Sequence, residues 1–450
     1  MNLQNARGLL ARDQAVLAKG QHLLYYPLAV DRVDGEIVTD VDGNRYIDFL
    51  SSASSLNLGG SHPRLTEAIR RQMERCVQYC TCYTMNQPMV EYAERLVSVY
   101  PGKTPAKVFF THCGSDACDA AIRFARAYTG RERILSFRHS CHGSTYASAG
   151  LSACYAGENE RMRLLLPDIR YFRYFYEDEG LPDDYDYLRE IEEAFRTDYP
   201  PENVAAAFVE PIQGDGGLRP ASKAFLRQLH ALCQKHGILL ISDEVQQGFF
   251  RSGHWFGIEE FDVIPDGIVL GKSLGAGLPL GAFMARPEVV DTLPSSVCAC
   301  TIAGFHLACA AGAARFDWMC QDAFQQTLRE NSARMRRYVT TLTERNRRGI
   351  LLKPCGMGMS WGVHVLRRET GEPDPGTAAK IACRCYEKGL LLLVMSGNVL
   401  RIQPPLTIGE ASLREGFERL DAAVDEVLAG YAPDPLLLAQ AAWRQDSDQS

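Results

Sequence analysis

Five short apolar runs succeed one another through the middle of the chain, at residues 108–111 (VFFT), 134–137, 204–209, 238–241 and 267–270, each bounded by turn or helix signals. Runs of this length read as strands buried on both faces. Alternation with helical patterns such as residues 117–128 calls for a parallel sheet covered by helices. The fold class expected is therefore α/β with one large, mostly parallel core. Ahead of it, residues 40–50 set an Asp-Gly turn between extended segments, a hairpin pattern. Behind it, the chain is helical from residue 315 and then alternates helices with short strands at 359–365, 391–394 and 399–403, a smaller α+β unit. The polar end, residues 444–450, is expected to fray.

Charge and cysteine content exclude several classes. With 48 Lys plus Arg against 55 Asp plus Glu the net charge is -7, so no broad basic surface is available for nucleic acid or an anionic membrane. No stretch approaches the ~18 apolar residues of a membrane span. Arg7, Arg12 and Asp13 interrupt the apolar run at Leu9 and Leu10, against a secretory leader. Fifteen cysteines, an odd number spread over 450 residues, read as reduced thiols in a cytoplasm rather than a disulfide scaffold. The C-x-C pairs at Cys80 and Cys82, Cys298 and Cys300, and Cys383 and Cys385 lack zinc-site spacing, and no metal is expected. Gly275-x-Gly277 and Gly356-x-Gly358 are incomplete dinucleotide fingerprints.

The chain has only nine lysines, so each can be inspected. Lys272 stands apart. It follows the buried run Ile268-Val269-Leu270 and precedes a glycine turn, which puts an amine at the carboxyl end of a strand, where open α/β sheets bind ligands. A partly desolvated lysine there suits Schiff-base formation with a carbonyl, although an exposed turn lysine would look the same in isolation. Asp243 ends the run 238–241 in Ser242-Asp243-Glu244-Val245-Gln246-Gln247-Gly248. Its carboxylate could pair with a pyridinium nitrogen and keep it protonated; metal binding or helix capping are the alternatives. Thr111-His112-Cys113-Gly114-Ser115-Asp116-Ala117 turns from a strand into a helix whose first amides and dipole attract a phosphate, or simply form a capped start.

Phosphate cradle, pyridinium partner and amine in that order are what pyridoxal 5'-phosphate needs. With D-E-V-Q-Q-G and G-K-S-L-G-A-G-L-P-L the sequence resembles the class III aminotransferases, pyridoxal-phosphate enzymes of fold type I, over most of its length. The resemblance implies residues 61–313 as a large cofactor domain. Residues 1–60 would join residues 314–450 in a small α+β domain made from both chain ends, and the active site would lie in an obligate homodimer. It implies that Gly114 and Ser115 bind the phosphate, Asp243 the ring nitrogen and Lys272 the aldehyde. Val245 would pack on one ring face and Gln246 bond near the phenolic oxygen, while Cys141 and His142 supply the opposite side. Thr301 would reach the cofactor phosphate of the neighbouring subunit. Glu210, in Val-Glu-Pro-Ile-Gln, and Arg401, in Leu-Arg-Ile-Gln-Pro-Pro-Leu, match the substrate pair of the ornithine and γ-aminobutyrate transaminases. There the arginine holds the α-carboxylate of glutamate or 2-oxoglutarate, and the glutamate pairs with it when the other substrate is bound.

Three departures accompany the resemblance. Cys141 stands where the family has a stacking aromatic, Phe305-His306 replaces Asn-Pro, and Asp116 replaces Glu. The expected reaction is transfer of an amino group between L-glutamate/2-oxoglutarate and a terminal amine or aldehyde, such as an ω-amino acid, a diamine or an amino sugar of the aminoglycoside kind. The alternative, with the same cofactor, is an epimerase or aminomutase acting on an amine-bearing carbon. Ser54, Ser55, Tyr83 and Trp255 enter a substrate pocket only by analogy.

Overall fold

A computed structural model describes residues 1–154 and 168–439; residues 444–450, expected to fray, lie outside the described residues. The chain divides into two compact units, Pro63–Phe324 and Met1–His62 with Gln325–Ser450.

The larger unit is built on a seven-stranded sheet in the order Lys107–Thr111, Gly281–Ala285, Gly267–Leu270, Leu239–Asp243, Val204–Val209, Arg133–Phe137, Ile169–Phe172. All five expected runs are present. Two strands had no clear signature: Ile169–Phe172 is a sheet edge of alternating character, and Gly281–Ala285 (GAFMA) lacks β-branched residues. Gly281–Ala285 also departs from the parallel scheme, pairing antiparallel with both neighbours. Across it, Lys107–Thr111 runs in the same direction as Gly267–Leu270, so the carboxyl ends of both lie on one edge with that of Leu239–Asp243. That edge is where ligands bind in such sheets.

The helix Gly114–Thr129 covers this sheet with Ala117, Ala121 and Phe124 against Ala206, Ile241 and Phe283. Alanines on both surfaces let backbone approach backbone. The helix ends at Gly130, whose left-handed φ of +69° closes it through an N–H bond to Arg126.

In the smaller unit, one four-stranded antiparallel sheet runs Ile350–Met357, Ser360–Arg367, Val399–Ile402, Leu393–Met395. The other joins the expected hairpin, here Ile37–Asp40 and Arg45–Asp48, to Val30–Asp34 on one side and Leu390–Leu391 on the other. The hairpin turn is fixed by Asp40, whose carboxylate accepts the N–H groups of Asp42 and Asn44. The run expected at 391–394 is two strands, because the chain leaves one sheet and enters the other at Leu392.

The larger unit continues through the helix His306–Met319 to Phe324. That helix belongs with the larger unit: buried Arg315 donates to Ser273 Oγ and Tyr92 Oη, both at 2.7 Å, and Gly312 leaves room for the Tyr92 ring. Among the described residues no helix is long and apolar enough to cross a membrane.

Candidate active site

Close backbone approaches gather the expected residues of the larger unit at the strand ends. A Cβ on Gly271 would lie 2.8 Å from the Gly114 Cα, so the turn that begins at Lys272 rests on the first residue of the helix Gly114–Thr129. Lys272 itself has a φ of +45°, a left-handed conformation unusual for a side chain of its size. A Cβ on Gly114 would come within 2.8 Å of the Val245 side chain, and the Val245 N–H donates to Asp243 Oδ1 at 3.0 Å. On the other side, Gly143 has a φ of +129° and no room for a Cβ against Ser115, whose Oγ accepts the Ser144 N–H at 3.1 Å. Gly114, Ser115, Val245, Asp243, His142 and Lys272 therefore share one neighbourhood.

Asp243 is 4% exposed and its Oδ2 lies 2.7 Å from His142 Nδ1. Burial of His142 opposes its charge, but the hydrogen bond and charge of Asp243, with Glu210 behind them, leave the His142 pKa raised above 6.5. Cys118 Sγ donates to the same Asp243 oxygen at 3.7 Å. His142 Nε2 is buried with no hydrogen-bond partner among the described residues. A helix start whose glycine a Cβ would fill, a buried carboxylate paired to histidine and that unmet ring nitrogen fit a phosphorylated, nitrogen-containing ring.

Glu210 is also buried, and its carboxylate brackets two loops: Oε1 accepts the Cys141 N–H and Oε2 the Gly214 N–H, each at 2.9 Å. Burial pushes its pKa up to about 7, against the pull of His142 and with the push of Asp243. Gln246 is buried beside Gly214, where a Cβ would overlap its amide. Cys141 carries no ring to stack. Its sulfur instead meets Cys154, and the hydrogen bond between them, with burial and nearby Asp215, raises the Cys141 pKa well above that of a free thiol.

Thr301 stands apart from this cluster. It is exposed, and its carbonyl accepts the Thr81 N–H at 3.0 Å and Thr81 Oγ1 at 3.2 Å. Tyr83, two residues further on, is 86% exposed, whereas Trp255 stacks on Phe316 with ring centres 4.6 Å apart. Of the substituted positions, Asp116 accepts the His112 N–H at 3.0 Å and His306 Nδ1 lies 3.0 Å from Gln78 Oε1.

Arg401 belongs to the smaller unit and is 4% exposed. Its Nε donates to Gln403 Oε1 at 2.5 Å, and a terminal nitrogen reaches Ser54 Oγ at 3.5 Å. Gln403 also accepts from Ser54 Oγ at 3.0 Å and donates to Ser360 Oγ at 2.7 Å. Ser54 ends a four-residue left-handed turn, Ser51–Ser54, with φ from +48° to +67°.

Sequence reasoning overlooked Gln403, Cys118, Cys154 and Asp215. Gln403 had a signal, since it follows Arg401 by two residues and so shares its side of an extended chain. The others meet their partners only through the fold.

A family model described as aminotransferase class-III matches residues 17–424. The chain is 33% identical to isoleucine 2-epimerase of Lentilactobacillus buchneri over 98% of this chain and 99% of that one. It is 32% identical to 5-aminovalerate aminotransferase of Pseudomonas aeruginosa over 93% of this chain and 98% of that one. The structure of taurine:2-oxoglutarate aminotransferase from Bifidobacterium kashiwanohense, in complex with PLP and glutamate, superposes with a TM-score of 0.85 at 26% identity, covering 96% of this chain and 100% of that one.

Proposed function

The chain belongs to the class-III aminotransferases and is a pyridoxal-phosphate-dependent transaminase of fold type I; from that premise we propose that it exchanges an amino group between L-glutamate/2-oxoglutarate and a terminal amine or its aldehyde. The observation that carries this reading is Arg401, a buried guanidinium that donates to Gln403 and reaches Ser54. A guanidinium presents paired N–H groups that suit the carboxylate of glutamate. The likeness to 5-aminovalerate aminotransferase supports a terminal amine as the second partner, of the ω-amino acid, diamine or amino sugar class.

When bound, pyridoxal phosphate supplies an aldehyde for the amine and a pyridinium ring that draws electrons from the adjacent carbon. In the proposed mechanism Gly114 and Ser115 hold the phosphate with main-chain N–H groups and a hydroxyl. Asp243, steadied by His142, keeps a proton on the ring nitrogen. Val245 and the Cys141–His142 segment would confine the ring, and Gln246 would donate to its oxygen. Lys272 Nζ takes the proton from the amine-bearing carbon and returns it, as general base and then general acid. Arg401 orients glutamate by its carboxylate, with Glu210 as the carboxylate that pairs with Arg401 for the other substrate.

The working form we propose is a homodimer in which Thr301 reaches the partner's cofactor phosphate. Thr301 is joined to Thr81 in a surface region that exposes Val77, Tyr79, Met85, Val297 and Ile302, apolar area of the kind interfaces cover. All fifteen cysteines are free, in keeping with the cytoplasm as its compartment.

A second reading, epimerisation at an amine-bearing carbon, is favoured by the likeness to isoleucine 2-epimerase. A half-reaction screen separates the two: single amines are added to the holoenzyme and loss of the cofactor's visible band is followed. Glutamate and a terminal amine should each discharge it, and 2-oxoglutarate should restore it. Stereochemical inversion of a branched amino acid without any keto acid, with solvent deuterium incorporated, would replace transamination by epimerisation.

A further inference from the structure

We propose that Cys141, Cys154 and Asp215 form a site for one soft divalent cation of the zinc and cadmium class. The two sulfurs and a carboxylate oxygen lie within 4.8 Å of one another, so some point lies within about 2.8 Å of all three. Small side-chain rotations bring that to the ~2.0–2.3 Å of zinc–carboxylate and zinc–thiolate bonds. Two thiolates and one carboxylate select a soft cation over magnesium or calcium, and three protein ligands leave a fourth tetrahedral position open. On binding, each thiol releases its proton to solvent and the ligand set carries three negative charges against the cation's two positive ones.

The surrounding backbone holds these donors in place. Glu210 grips the Cys141 N–H with one carboxylate oxygen and the Gly214 N–H with the other, tying the loop that carries Cys141 to the turn that carries Asp215. That turn is closed by the Gly217 N–H on the Gly214 carbonyl at 3.1 Å. The carbonyl of Ser140 accepts the N–H groups of Ala153 and Cys154 at 2.8 and 3.0 Å, which fixes the third donor beside the first. All three residues are half-buried, within reach of an ion from solvent. The other donor group of this kind among the described residues, Cys118, His142 and Asp243, is fully buried and includes the carboxylate assigned to the cofactor.

The test is a titration of the holoenzyme with cadmium chloride, followed by the ultraviolet cadmium–thiolate charge-transfer band, with zinc chloride as competitor. One equivalent should saturate the band at an intensity for two thiolates, and zinc should displace it. The band should vanish in Cys154→Ser and persist in a Cys80→Ser/Cys82→Ser double variant, which removes the pair whose sulfurs lie 3.3 Å apart elsewhere. Asp215→Asn should weaken cadmium at least about tenfold. Retention of the visible cofactor band checks the fold of each variant, and if Cys154→Ser loses it, Asp215→Asn decides. A charge-transfer band that survives in folded Cys154→Ser, disappears in the Cys80/Cys82 variant, or is indifferent to Asp215→Asn overturns the proposal.

Discussion

Each unit buries one charge assigned to the site, and the two charges meet different groups. In the larger one, carboxylate faces imidazole: Asp243 lies 2.7 Å from His142, and Glu210 adds to the field that raises the histidine's pKa. In the smaller one, the buried Arg401 guanidinium donates to the Gln403 amide oxygen and reaches the Ser54 hydroxyl. A charge already balanced within the protein suits a group that stays through every turnover. A guanidinium held by an amide and a hydroxyl suits the carboxylate of an anion that arrives and leaves. The smaller unit also accepts strain for this. Left-handed conformations cost roughly 1–2 kcal/mol per non-glycine residue, and Ser51 through Ser54 all adopt one. The Ser51 N–H bond to Asp48 at 2.9 Å and the Ser51 Oγ bond to the Gln403 carbonyl at 2.7 Å hold the turn in place.

Lys272→Ala should have the largest effect. Loss of the proton-moving amine should lower turnover by about 10⁴-fold, the upper range for general acid–base catalysis, while cofactor measured after denaturation stays near one per chain. A small loss, measured as kcat with glutamate, would remove Lys272 from the mechanism.

Asp243→Asn probes the paired side. Breaking a buried pair costs about 3–5 kcal/mol, so cofactor affinity and unfolding midpoint should fall together, read by equilibrium dialysis and thermal melts. If turnover falls while both stay unchanged, the pair is not what retains the cofactor.

The strand-to-turn transitions at Gly114, Asp243 and Lys272 were legible because each pairs an apolar run with a residue type that is out of place in a turn. What escaped notice depends on contacts between distant segments. The antiparallel strand Gly281–Ala285 has no alternation to mark it, since both its faces are buried. Cys154 meets Cys141 only because Ser140 binds the chain thirteen residues later, at Ala153, and again at Cys154. The left-handed turn carries three serines and an alanine where glycines would be expected, so composition concealed it.

Arg401→Ala tests the guanidinium of the smaller unit. Charge-assisted hydrogen bonds contribute about 1.5–3 kcal/mol, so KM for glutamate and for 2-oxoglutarate should rise roughly 10- to 150-fold. Cofactor content and the half-reaction with a terminal amine should be unaffected. The contrast with Asp243→Asn is the point of the experiment: a fall in cofactor affinity in both variants would erase the distinction between resident and visiting anions.

The smallest expected effect concerns Glu210, which sits among the paired charges yet is assigned to the substrate. Burial raises its pKa from 4.5 to about 7 in the native state, so the folded chain keeps a proton that the unfolded chain releases. The stability this contributes is complete below pH 4.5 and is lost as pH rises towards about 7, at no more than about 1.4 kcal/mol per pH unit. Glu210→Gln cannot ionise and should not show that loss. Its amide, however, has one accepting oxygen for the Cys141 and Gly214 N–H groups, whereas the protonated carboxyl can still accept on both of its oxygens, so at low pH the variant should be less stable by about 1 kcal/mol. Urea midpoints at about pH 5 and about pH 8, with saturating cofactor, should therefore converge or cross. Parallel curves would mean that Glu210 is ionised throughout and belongs with Asp243 as a fixed charge, leaving Arg401 as the sole group reserved for substrate.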